Sequence, residues 1–187
     1  MTSVLTQART VVTETDAENG GAGFTLEMTC LSGRGPNIVE HQHESWTETF
    51  EILSGTAQYR LDSKHLKAKA GETIVMPPNV AHVHPWCAGD TEMTYRQTTR
   101  FETPNPQAVQ DTLGSFATVN GLAREGKVDA QGLPKHPLQM AATLRTLGKH
   151  GGYSTRLSIP AQKILSATLG RLAEALGYRG VYERYGS

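Results

Sequence analysis

The chain has little cysteine, no long apolar run and no surplus charge of either sign, and each absence excludes something. Its 187 residues include two cysteines, Cys30 and Cys87, and 37% are hydrophobic, as in an ordinary soluble protein. Two thiols in a chain of this size without a signal peptide are expected to stay reduced rather than pair. No stretch approaches the ~20 apolar residues of a membrane-spanning helix. Met1 to Asn19 mixes polar and apolar residues without the apolar core of a signal peptide, so the expected location is the cytoplasm. The formal net charge is zero, and neither an aromatic-rich basic stripe nor a helix-turn-helix pattern is present. Nucleic acid is therefore not an expected partner. Internal repeats and low-complexity segments are also missing. The length suits one well-buried domain, or one domain with an appendage.

The zero charge hides an asymmetry. Residues 1–120 hold 8 Lys+Arg against 14 Asp+Glu, and residues 121–187 hold 10 against 4, so the two parts carry −6 and +6. Such halves attract, which favours docking of the tail on its own or a partner's first part. The two parts also differ in period. From Phe24 to Arg100 the chain reads as short strands punctuated by glycine and proline, the pattern of a sandwich or barrel. Phe24, Leu26, Met28 and Cys30 alternate with Thr25, Glu27 and Thr29. Met93 to Arg100 also alternates, but polar residues at both parities leave its inward face open.

Beyond Pro104-Asn105-Pro106 the pattern turns helical. The spacing predicts a weak helix over Gln107–Leu113, a better one over Pro137–Leu147 ended by Gly151-Gly152, and a last one from Pro160 to a Gly177 cap. Ile164, Leu165, Leu169, Leu172, Ala173 and Leu176 form an apolar stripe on that last helix, suited to a core or a subunit interface. Lys163, Arg171 and Arg179 flank the stripe, which keeps a peripheral membrane contact in play.

Against this background the histidines stand out. His41-Gln-His43 is a pair two apart, so on a strand both rings share one face. Glu48 has the opposite parity and reaches that face only if a turn or bulge intervenes, for which Glu44-Ser45-Trp46-Thr47 supplies polar residues. His82 lies farther on. Three imidazoles and a carboxylate suit a first-row divalent ion and leave open positions in an octahedral shell. A His-x-His pair can also be a polar surface stripe, so the spacing around it matters. Gly35, five residues, His41-x-His43, four residues, Glu48, six residues and Gly55 form one spaced set; Gly71, five residues, Pro77, one residue, Asn79, two residues and His82 form another.

These two sets resemble the two sequence motifs of the cupin superfamily. The second departs from its pattern, with Asn79 where glycine is usual and Trp86 where asparagine is usual. Asn tolerates the left-handed backbone that glycine would supply. The 15 residues from Thr56 to Ala70 between the sets resemble the short spacing of single-barrel cupins.

The resemblance implies a mainly β fold, a double-stranded β-helix or jelly roll, followed by an α-helical C-terminal segment. The expected boundaries are an N-terminal arm over 1–20, a barrel over 21–103 and a helical extension over 104–187, packed on the barrel or on a partner. It implies His41, His43, Glu48 and His82 as ligands of one divalent transition metal, Fe, Mn, Zn or Ni. His84 shares a face with His82 on a regular strand and is a candidate acid/base group. Tyr59, Tyr95 and Gln97 have polar tips suited to orienting a small-molecule substrate. The expected function is a metal-dependent enzyme of oxygenase or isomerase type, with a non-catalytic binding or sensing cupin as the alternative. Edge strands and an apolar helix both need cover, so a homodimer is expected.

Overall fold

The structure, a computed structural model, describes residues 9–33, 35–36, 38–129 and 131–186; residues 1–8 of the expected arm lie outside them. The alternating segments form two antiparallel five-stranded sheets. One contains β1 (Arg9–Glu14), β2 (Gly23–Cys30), β4 (Trp46–Ser54), β7 (Thr73–Met76) and β9 (Met93–Phe101), in the order β1-β2-β9-β4-β7. The other contains β3 (His41–His43), β5 (Thr56–Leu61), β6 (Lys64–Lys69), β8 (His82–Cys87) and β10 (Gly152–Ser154), in the order β10-β3-β8-β5-β6. This is a mainly β jelly roll with helices after it. Arg9–Glu14, within the segment expected as an arm, pairs antiparallel with β2 as an edge strand.

The interior face of β9 is resolved by its partners. Met93, Tyr95, Gln97 and Thr99 are buried. Arg96 points outward and pairs with Glu27 and Glu51 on the flanking strands, at 2.7 and 3.0 Å. Phe50, Ile52, Ala57, Met76, Met93 and Tyr95 pack into one cluster, with Phe50 and Tyr95 in edge contact at 5.5 Å between ring centres. Cys30 and Cys87 join that cluster as free thiols. Burial pushes the Cys30 thiol up to about 12, so it is a poor nucleophile at neutral pH.

A short helix α1 (Asp16–Asn19) lies between β1 and β2, and the extension holds α2 (Pro106–Arg124), α3 (Pro137–Gly148), α4 (Ile159–Leu165) and α5 (Arg171–Ala175), with a π-helical segment, Ser166–Gly170, joining the last two. α2 runs well beyond the expected Gln107–Leu113. Asn105 caps it and Pro106 opens it, and its buried side includes Thr112, Ser115, Thr118 and Gly121. A hydropathy stripe does not register small and polar residues of that kind, although they allow close packing. Gly121 is one such position: a Cβ there would stand 2.2 Å from the Tyr185 ring, which docks on α2 near Leu122. At its other end α2 packs Val109 against Phe24 and Leu26 of β2.

Gly151, with φ +89°, ends the turn after α3 as expected. The chain then enters a strand: β10 pairs with β3, Gly152 opposite His43 and Ser154 opposite His41. Three residues are too short for a period to show in sequence. The helical extension thus contributes a strand to the barrel's own sheet.

Candidate metal centre

Each histidine is placed by local backbone chemistry. β3 and β4 lie in different sheets, so Glu44 and Ser45 form a corner between them. That corner resets the parity, and Glu48 enters the interior two residues after Trp46. The turn that the spacing required is therefore present. On the other motif Asn79 adopts φ +63°, the left-handed conformation that glycine would supply. Its amide donates to the His43 carbonyl at 2.7 Å, which ties the approach to β8 onto β3. His41 and His82 are then direct cross-strand partners.

His43, Glu48, His82 and His84 are buried, and His41 is half-buried. Glu48 Oε2 lies 2.9 Å from His84 Nε2, 3.3 Å from His82 Nε2 and 3.4 Å from His43 Nε2. The ligand atoms of His41, Glu48, His82 and His84 all fall within 4.8 Å of one another. Five potential donors therefore converge, one more than the expected set of four.

The ring orientations are constrained from outside. His41 Nδ1 lies 2.9 Å from the Val39 carbonyl, and His82 Nδ1 lies 2.8 Å from the Val80 carbonyl. A carbonyl only accepts, so each Nδ1 carries the proton and each Nε2 keeps its lone pair facing the centre. Trp46 stacks on His43 at 4.6 Å and 20°. Gln97 Nε2 donates to Glu48 Oε1 at 3.1 Å and to Thr99 Oγ1 at 3.3 Å, so it positions the carboxylate. Sequence spacing missed Val39, Val80, Trp46 and Thr99 in these roles. For the two valines a signal existed: each stands two residues before a motif histidine.

Among the other candidates, Tyr59 is half-buried against the interior cluster. Tyr95 is fully buried and its hydroxyl donates to Met28 Sδ at 2.9 Å. Of the three residues expected to orient substrate, Gln97 is the one hydrogen-bonded to the centre.

The electrostatics match metal ligands. Burial pushes the His41 imidazole well below its ordinary value, with His84 and His82 adding to the effect. Burial also lowers His43. Burial opposes ionisation of Glu48, but the imidazoles of His84, His43 and His82 outweigh it and hold the carboxyl well below its usual range. Neutral imidazoles and an ionised carboxylate are the metal-binding forms.

These shifts carry a pH dependence for the metal-free chain. As pH falls below the ordinary histidine value, about 6.5, the unfolded chain takes up protons that folded His41 and His43 resist. Their contribution is present above that value and is lost below it. Glu48 acts in the same direction at lower pH, below about 4.3, the ordinary glutamate value. Thermal unfolding in chelator is therefore expected to give a lower midpoint at pH 5.5 than at pH 7.5; a higher midpoint at pH 5.5 would contradict the assigned protonation states.

A two-sheet jelly roll with a buried histidine–carboxylate cluster defines a class of β-barrel protein. Residues 28–96 match the family model described as Cupin domain. No curated protein matches the chain. Among solved structures it is similar to a predicted oxalate decarboxylase from Thermotoga maritima, at 18% identity and TM-score 0.45, over 50% of this chain and 80% of that one. It is also similar to the Schizosaccharomyces pombe Cnp3 cupin domain, at 13% identity and TM-score 0.45, over 66% and 74%. A cupin-like protein from Thermotoga maritima matches at 18% identity and TM-score 0.43, over 51% and 69%.

Proposed function

We propose that the chain is a divalent-metal-binding cupin that acts as a metal-dependent enzyme on a small organic molecule, of oxygenase or isomerase type. The observation that carries the metal is the orphaned nitrogen atoms. His43 Nδ1 and Nε2 and His82 Nε2 are buried without a hydrogen-bond partner, a costly arrangement for polar atoms that no bound group satisfies. A neutral imidazole carries one lone pair, so these atoms offer one from His43 and one from His82; with His41 Nε2, whose Nδ1 faces the Val39 carbonyl, and the ionised Glu48 carboxylate, they form a donor set of the N3O type that first-row transition metals favour.

His41, His43, Glu48 and His82 would hold the ion, Fe, Mn, Zn or Ni. Such an ion supplies Lewis acidity, an acidified bound water or, if redox-active, a site for dioxygen. The remaining roles fall to the chain. Gln97 keeps Glu48 in one orientation, and Trp46 keeps the His43 ring in plane. His84 Nε2, within hydrogen-bond reach of Glu48, is the position for holding or moving a proton. Substrate would enter through the barrel mouth, with the Tyr59 hydroxyl to orient it and the buried Tyr95 as wall.

One feature favours the alternative of a non-catalytic sensing cupin: β10 joins the extension directly to the strand bearing His41 and His43. A homodimer suits both readings, since Ile164, Leu172 and Leu176 are more than half exposed on the last helical run. Among the described residues no helix is long and apolar enough to cross a membrane.

The test is elemental analysis of protein purified without added metal, followed by oxygen uptake against small acids, diketones and phenols. One equivalent of a redox-active metal with turnover is expected. A redox-inert metal with no turnover would transfer the chain to the sensing reading, and absence of stoichiometric metal would sink both.

A further inference from the structure

Outside the barrel interior, α3, β10 and the helical run from α4 surround a cavity of about 380 Å³. Small-molecule pockets begin at roughly 300 Å³ and are mostly apolar, with few polar groups. Met140, Leu144, Tyr153 and Leu169 supply apolar wall here, and Leu157 and Leu165 stand at the opening. The last two are 47% and 43% exposed, so apolar surface faces solvent around the opening of a concave site.

The charged lining has one sign. Arg145, Lys149 and Lys163 border the cavity, and none of its lining residues is acidic. Arg145 and Lys149 share the Glu174 carboxylate, at 2.9 and 3.3 Å, and Lys163 reaches Glu44 only at 3.5 Å. Three cations thus meet two carboxylates, which leaves one positive charge at the cavity uncompensated.

The helix backbone is adapted to the same place. The π-helical segment Ser166–Gly170 lies where the helical run borders the cavity, and Ser166, Ala167 and Leu169 line it. Such widened turns are rare and occur often at functional sites. Arg145 Nη1 donates to the Ser166 carbonyl at 3.0 Å. Gly170 lies directly against the Arg145 side chain, where a Cβ would stand 2.7 Å from its Cδ. The absence of a side chain at Gly170 lets the helix close on that arginine and hold it beside the cavity.

We propose that this cavity is a second ligand site, separate from the histidine cluster, for a small molecule with an apolar body and a single carboxylate. The apolar body fills the space between Met140, Leu144 and Leu169, and the carboxylate takes the uncompensated charge among Lys149, Lys163 and Arg145. Neither part depends on the metal centre.

Decanoate is the probe, titrated calorimetrically into the full chain with and without chelator. The expected result is one bound equivalent in both conditions, with a nuclear Overhauser contact between its chain and the Met140 methyl. 1-Decanol and decyltrimethylammonium should bind at least tenfold more weakly. Leu144→Trp should abolish binding by filling the space. The surface double variant Lys149→Gln/Lys163→Gln, which spares the apolar wall, should weaken decanoate at least tenfold and leave decanol unchanged. Equal affinity for decanoate and decanol overturns the carboxylate assignment, and loss of binding in chelator overturns the separate site, because it would place the ligand in the barrel. A dimer broken by Leu165→Glu, with no decanoate uptake by the wild-type chain, would assign the face to a second copy and also overturn the proposal.

Discussion

Glu48→Ala is expected to lower metal affinity more than ~100-fold, beyond the roughly 10–100-fold typical of losing a group that merely supports a ligand. The reason is geometric. Glu48 Oε2 lies within 3.4 Å of three imidazole Nε2 atoms, so its removal takes away both the one anionic donor and the charge around which the rings are arranged. Metal content after dialysis, compared with wild type, checks it. His65→Ala is the matched control, because His65 is an exposed histidine on β6. If Glu48→Ala retains a full equivalent of metal, the carboxylate is not a ligand. His84→Ala separates its two possible roles. As a proton-handling group it can be lost with about a tenfold fall in affinity, the lower end of the supporting range, whereas a loss equal to that of Glu48→Ala would make His84 a ligand.

Phe50→Ala should cost about 3–5 kcal/mol of stability, the usual range for removing a fully buried aromatic side chain. Phe50 is 0% exposed, meets Tyr95 edge-on at 5.5 Å and lies 4.8 Å from the His84 ring. In a chain of this length each kcal/mol shifts the unfolding midpoint by roughly 2–4 °C, so a fall of about 6–20 °C is expected in a thermal scan. The same substitution opens space beside His84. Phe50→Leu, which keeps most of the volume, should recover more than half of the lost stability. A Phe50→Ala midpoint within about 2 °C of wild type, less than a single kcal/mol, would show that the core does not rest on this ring.

Much of the site was legible from spacing because its elements are local. His41 and His43 share a face through the two-residue period of a strand, and Asn79 takes the left-handed conformation that its place in the motif demanded. The corner between His43 and Glu48 was legible as a requirement, since parity alone forbade a continuous strand. His84 was legible only as sharing a face with His82. Its contact with Glu48, at 2.9 Å, depends on how the two sheets face each other, and no pattern along one strand carries that. The roles of Tyr95 and Gln97 were open for the same reason: both lie on the inward face of β9, but one meets Met28 and the other Glu48.

The helical part was less legible. The last helix was announced by its apolar stripe and Pro160, and Gly177 has φ +89° just beyond it. α2 was not fully announced, because small and polar residues pack it. β10 was not announced at all, because three residues acquire strand character only by pairing with β3.

Sequence by itself therefore determined the β class, the motif histidines and glutamate that converge in the interior, and the turns between them, all consequences of backbone geometry within a few residues. Tertiary structure alone decided that His84 joins the cluster and that the extension adds a strand beside His41 and His43. Those outcomes arise from pairing and packing between segments 36 to 115 residues apart, such as Glu48 with His84 and Glu40 with Thr155.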